Sequence, residues 1–226
     1  MIVLFAHQKG GVGKSTVAIN LAYGIRKKFE DVSILDLDSQ HSAVLFNRLR
    51  ESMKLPTIRC FTQKDTDLKE LLLRYRSDKN NLLIIDSGGY NSDINRIALL
   101  KADMIVTPVG ISQIEIFGLQ KFTKVLKEAS EALGRTVKTN VLLNNVDSRS
   151  KSKLQDLQKY IEKKSDYFDL LKTTLYTRAD YRNSYGEGLT LKEYNKKGKA
   201  VVEFKELTKE IYKLLKNRFG TTVLQG

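Results

Sequence analysis

The chain has 226 residues, 41% of them apolar and 29% charged, enough for one α/β domain with a sizeable core. Thirty-nine Lys/Arg against 26 Asp/Glu give a net charge of +13 and a pI near 9.6, which fits a polyanion binder and equally a solvated basic surface. No apolar run reaches about 18 residues, the start lacks the pattern of a signal peptide, one cysteine (Cys60) forms no internal disulfide, and two histidines leave no room for a histidine metal site.

The first apolar run, Ile2 to Ala6, reads as a buried strand. It leads into Lys9-Gly10-Gly11-Val12-Gly13-Lys14-Ser15-Thr16 and then a helical stretch, Ser15 to Phe29. Strand, glycine-rich loop, lysine, hydroxyl and helix form a phosphate cradle. Glycine lets backbone N–H groups turn inward, and the helix start adds partial positive charge. Lys14 reaches the β- and γ-phosphates in such a loop, and the Ser15 hydroxyl ligates Mg²⁺. The standard pattern wants glycine where Gln8 stands; a second lysine, Lys9, opens the loop instead. A Rossmann-type dinucleotide loop is disfavoured, because Thr16 stands where its third glycine belongs.

Further short apolar runs follow at Ser33 to Leu37, Leu82 to Ile85, Met104 to Pro108 and Thr139 to Leu143, with a weaker one at Thr173 to Tyr176. Helical stretches alternate with them: His41 to Arg50, Asp67 to Tyr75, Ser92 to Lys101, Gln113 to Leu133, Ser150 to Lys164 and Ala200 to Arg218. This alternation predicts an α/β fold, a mostly parallel twisted sheet with helices on both faces. Ligands in such sheets bind beyond the carboxyl ends of the strands. Two of those ends carry acids: Asp36-Leu37-Asp38-Ser39-Gln40 after the second run, and Asp86 after Leu82 to Ile85, followed by Ser87-Gly88-Gly89. A lone strand-end Asp is usually a cap or turn residue, but these acids accompany a phosphate loop. Cys60 reads as a packing residue, consistent with a reducing cytoplasm.

These motifs resemble the deviant P-loop ATPases, the group of ParA, MinD and the nitrogenase iron protein, over nearly the whole chain. The resemblance implies a single-domain P-loop NTPase fold spanning 1–226, with no helix-turn-helix extension ahead of the loop, as in small ParA-type partition ATPases. It implies ATP and Mg²⁺ as ligands and a nucleotide-sandwich homodimer in which Lys9 reaches the partner's phosphates. Asp38 then orients the attacking water and touches the Mg²⁺ shell through water. Asp36 orders its loop, Asp86 is a Walker B aspartate holding Mg²⁺ through water, and Ser87 to Gly89 sense the γ-phosphate. In place of the family's commoner prolines stand Ser39 and this Ser-Gly-Gly segment. Asn144 matches an adenine-reading position, although an Asn-rich turn without a ligand explains it equally. The Asn-Lys-x-Asp of GTPases is absent, which favours ATP.

The basic surplus is concentrated late in the chain: residues 138–218 hold 19 Lys/Arg against 11 Asp/Glu. The resemblance implies nonspecific DNA binding there, and the candidates are Arg178, Arg182, Lys192, Lys196, Lys197 and Lys199. Arg178 is also a candidate for the adenine pocket. The implied partners are DNA and a ParB-like or small centromere-binding adaptor, and the implied location is cytoplasmic, on the nucleoid. The alternative is a MinD-like membrane-surface positioning ATPase, since Ile211 to Gly220 is both basic and apolar. Against it, Phe204, Leu207, Ile211 and Leu214 continue one helical face, the pattern of a helix packed on a core. A cluster carrier like the iron protein is disfavoured by the single cysteine.

Overall fold

The computed structural model describes residues 1–64, 66–88 and 92–219. Two sequence expectations, on Gly89 of the sensing loop and Gly220 of the basic-apolar tail, lie outside them. Seven strands form one sheet: β1 Ile2–Phe5, β2 Asp31–Asp36, β3 Cys60–Thr62, β4 Asn81–Asp86, β5 Met104–Val109, β6 Thr139–Val146 and β7 Phe168–Tyr176. Their order is β3-β2-β4-β1-β5-β6-β7, and every described pairing is parallel. The helices are α1 Lys14–Ile25, α2 Ser42–Ser52, α3 Leu68–Ser77, α4 Asp93–Lys101, α5 Gln113–Leu133, α6 Lys151–Lys163, α7 Ala179–Gly186, α8 Leu191–Tyr194 and α9 Lys199–Phe219.

Strand alternation divides the core. Val3 and Phe5 face one way with Ile34, Leu82 and Ile84, against α1, α2 and α9. Ile2, Leu4 and Ala6 face the other way with Leu83 and Ile85, against α3 to α6. Strand β1 is therefore buried on both sides, which is why its sequence is apolar without alternation. It lies between β4 and β5, where successive crossovers change direction, so the loop after it opens at the sheet's switch point.

The predicted elements all form, with ends shifted by a few residues. Asp67 and Ser92 cap α3 and α4 by accepting from Lys69 N and Asn95 N, rather than belonging to the helices. Helix α1 ends at Ile25, and Arg26–Lys28 tighten into a 3-10 turn. Strand β7 begins at Phe168, well before the expected Thr173. Strand β3 was not expected; it is three residues long and, among the described residues, pairs only with β2, and Cys60 on it packs against the core. After β7 come two short helices outside the predicted set, α7 and α8. Helix α9 docks on β7 and α1 through Phe204, Leu207, Ile211 and Leu215. Leu214, expected on that face, is 37% exposed, because a step of four from Ile211 lies nearer the buried stripe than a step of three. No helix among the described residues is long and apolar enough to cross a membrane.

Candidate functional site

Backbone turns shape the loop after β1. Gly11 and Gly13 sit at φ 74° and 92°, a region other residues rarely occupy. Gly13 is also the N-cap of α1 and makes no side-chain cap, so the first N–H groups of the helix stay open toward the loop. A Cβ on Gly13 would collide with the Asn144 amide, which donates from Nδ2 to the Val12 carbonyl at 2.8 Å. Lys14 is buried at the base of the loop, and its ammonium donates to the Lys9 carbonyl at 3.3 Å. Burial lowers its pKa, while the Asp86 and Asp38 charges oppose that shift. Lys9 stands at the rim with its ammonium 2.6 Å from Glu115 Oε1.

The acids come from neighbouring strand ends. Asp36 and Asp86 are in register on β2 and β4, and Leu37 N donates to the Asp86 carbonyl at 2.9 Å. Asp36 accepts from Asp38 N at 3.1 Å and from Ala43 N at 2.9 Å, which orders the turn into α2. Burial raises its pKa, and these backbone donors work against the rise. Asp38 accepts from Gln40 N at 2.9 Å within that turn. Gly88 presses onto it: a Cβ there would lie 3.1 Å from the Asp38 Cα. Ser87 donates to the Phe5 carbonyl at 2.8 Å, tying the end of β4 to the root of the loop.

Asp86 is fully buried, and neither carboxylate oxygen makes a hydrogen bond of ordinary geometry among the described residues, although the Ser15 hydroxyl lies near. Burial pushes its carboxyl up to about 7; the Ser15 hydroxyl draws it down, and the Asp36 charge adds to the rise. Two bare oxygens near a serine hydroxyl fit a hard divalent cation. No described cluster of His, Cys, Asp or Glu could hold a metal ion by itself.

Beside the loop lies a cleft of about 900 Å³, large enough for a nucleotide. Its floor is Gly11, Val12, Gly13 and Thr16; its far wall is Tyr176, Thr177, Arg178, Tyr181 and Arg182. Lys9 and Asn144 line it too, so the structure gathers these predicted residues at one site. Arg178 is the extended N-cap of α7 and Arg182 lies within that helix, and both open on the cleft. Arg178 is held by Glu203 of α9 at 2.7 Å and lies 5.6 Å from the Tyr176 ring centre. Lys192, Lys196, Lys197 and Lys199 are exposed around the junction of α8 and α9, outside the cleft.

Sequence reasoning missed Glu115, His7, Glu203 and the tyrosine wall. Glu115 follows Ser112 by three residues, a spacing that reads as a capping box. Ser112 makes no such cap, and the carboxylate turns inward instead. The Tyr181 hydroxyl is buried without a described hydrogen-bond partner, and burial raises its pKa.

Comparison with known proteins agrees with this geometry. Residues 3–191 match the profile of the CobQ/CobB/MinD/ParA nucleotide binding domain. The Maintenance of carboxysome distribution protein A of Halothiobacillus neapolitanus is 21% identical over 202 residues, 88% of this chain and 89% of that protein. An uncharacterized protein of Methanocaldococcus jannaschii is 45% identical over 40 residues, and the chain spans only 15% of its length. A chain from Borrelia burgdorferi B31, assigned to plasmid partition and solved with AMPPNP, superposes with a TM-score of 0.70 at 17% identity, covering 94% of this chain and 98% of that one. The septum site-determining protein MinD of Pyrococcus horikoshii, complexed with Mg-ADP, gives 0.68 at 18% identity, covering 97% and 99%. Phosphate loop, strand-end acids, all-parallel sheet and matched profile converge: the chain belongs to the CobQ/CobB/MinD/ParA nucleotide-binding family.

Proposed function

We propose that this protein is a Mg²⁺-dependent ATPase of the ParA type, which forms an ATP-sandwich homodimer, holds nonspecific DNA as that dimer, and is released when a ParB-like or small adaptor stimulates hydrolysis. The observation that carries the reading is the pair of lysines on one loop: Lys14 buried at its base and Lys9, its side chain 45% exposed, at its rim. In this reading one cation serves the chain's own phosphates and the other serves those of a second copy. Exposed Ile114 and Phe117, on the first turns of α5 near Glu115, give that rim apolar surface for a second copy.

Phosphoryl transfer to water is served by positioning and charge neutralisation. Lys14 and the open N–H groups of α1 hold phosphate oxygens. Ser15 and Asp86 would hold Mg²⁺, which would supply neutralisation of phosphate charge. Asp38, on a turn ordered by Asp36, aligns water, and Gly88 keeps the loop after β4 against it. Asn144 steadies the phosphate loop beside the base pocket, and Arg178 and Arg182 frame the far side. Lys192, Lys196, Lys197 and Lys199 contribute phosphate contacts to DNA, which carry little sequence information.

The test is gel filtration of Asp38→Ala with ATP, followed by DNA shifts at rising salt. A stable dimer whose DNA affinity falls steeply with salt is expected, with Lys14→Ala as the control that neither binds nucleotide nor dimerises. A monomer under all conditions, or capture by anionic liposomes in place of DNA, overturns the reading.

A further inference from the structure

Lys9 is engaged before any partner arrives. Its ammonium lies 2.6 Å from Glu115 Oε1. Its backbone N–H donates to His7 Nδ1 at 2.9 Å, so both ends of the residue are fixed. Glu115 is 5% exposed and His7 fully buried. Glu115 Oε2 and His7 Nε2 lie 3.8 Å apart, and neither has a hydrogen-bond partner among the described residues. Burial pushes the His7 pKa down to about 4, so the ring is neutral near pH 7. The cation paired with Glu115 is therefore Lys9. Helix α5 meets the ring through Gly118, where a Cβ would come within 2.9 Å of His7 Cε1. That close approach sets the first turn of α5, and Glu115 with it, against the root of the phosphate loop.

We propose that Glu115 is a positioning residue for Lys9, holding its ammonium against its own subunit until a phosphate on a second subunit takes the carboxylate's place. The inference deepens the sandwich-dimer reading and rests on it. A charge-assisted contact of this length is strong, and leaving a carboxylate buried without its cation is costly. Lys9 therefore departs only toward a comparable anion. The pair sets a threshold on dimer assembly without touching the chain's own nucleotide, whose phosphates are served by Lys14.

Glu115→Gln keeps the shape and removes the charge. In the full chain with AMPPNP, this variant should dimerise about a hundredfold more tightly than wild type, about tenfold for each of the two Lys9–Glu115 pairs released per dimer. Hydrolysis should need less protein to reach half its maximal rate. In Lys9→Ala/Glu115→Gln the gain should vanish. Unchanged or weaker dimerisation of Glu115→Gln overturns the proposal.

A second measurement uses the wild-type, nucleotide-free chain: acylation of lysines by an amine-reactive ester, read by mass spectrometry. Lys9 should react more slowly than exposed Lys196, and at the same rate in Glu115→Gln. Equal rates in wild type overturn the pairing itself. If Lys9 is protected yet wild type never dimerises with AMPPNP, the sandwich reading fails and the threshold fails with it, while the cis contact stands.

Discussion

Glu203 of α9 accepts from both Nη2 and Nε of Arg178, at 2.7 and 3.2 Å, and from the backbone of Tyr176 through its other oxygen. One carboxylate thus fixes an arginine of the cleft wall, the end of β7 and the last helix. The pair is only partly exposed, with side chains at 31% and 15%, so it exceeds an ordinary surface ion pair in worth. Glu203→Gln should lower unfolding free energy by about 1 to 2 kcal/mol in urea titrations. It should also weaken binding of a fluorescent ATP analogue several-fold, because Arg178 loses the contact that aims it. Unchanged nucleotide affinity would show that Arg178 does not serve the ligand.

The buried Asp86 predicts a pH dependence of opposite sign to the usual acid limb. Its carboxyl, pushed up to about 7 in the fold from its ordinary 3.8, binds its proton more tightly when folded. Below about pH 4 both states are protonated and the residue is neutral in effect. As pH rises toward 7 the unfolded state ionises first, and folding stability falls; above 7 the full penalty is present. Asp86→Asn should remove that limb and raise the melting temperature of the nucleotide-free chain at pH 8. The same substitution should shrink the Mg²⁺-dependent part of the stabilisation by nucleotide. A wild-type melting temperature flat between pH 4 and 8 would sink the assignment of Asp86 as the strained cation ligand.

Helix α9 offers a test of core docking against surface attachment. Leu207 is fully buried and Leu214 is 37% exposed. Leu207→Ala should cost about 2 to 5 kcal/mol by chemical denaturation, and Leu214→Ala about 0.5 kcal/mol or less. Comparable small effects at both positions would mean that the helix is not part of the core.

The parts of the site that could be read in the sequence are those built from contiguous residues. Lys9 to Thr16 carries its geometry in its own glycines, and Asp36 and Asp86 follow apolar runs that can only be buried strands. What escaped depends on contacts between distant segments. Arg178 and Glu203 are 25 positions apart and meet across two elements. Glu115 hides inside a helix-start pattern whose local meaning is ordinary. Strand β3 is too short to show alternation, and α7 and α8 are short and polar, so their residues resemble a loop. The same dependence separates Leu214 from Leu215: both are leucines near one helical stripe, and only the packing of α9 on β7 decides which is covered.

The matched register of β2 and β4 has a further consequence. Asp36 continues the face of Ile34, and Asp86 the face of Ile84, so the sheet delivers both acids at one height on one side. The pleat acts as a ruler. Losing or gaining a single residue inside either strand would swing its acid to the opposite side of the sheet while the hydrophobic run could still pair. Such a chain could keep its architecture and lose its paired acids, so length changes in these two segments would take the nucleotide site apart before they unfold the domain.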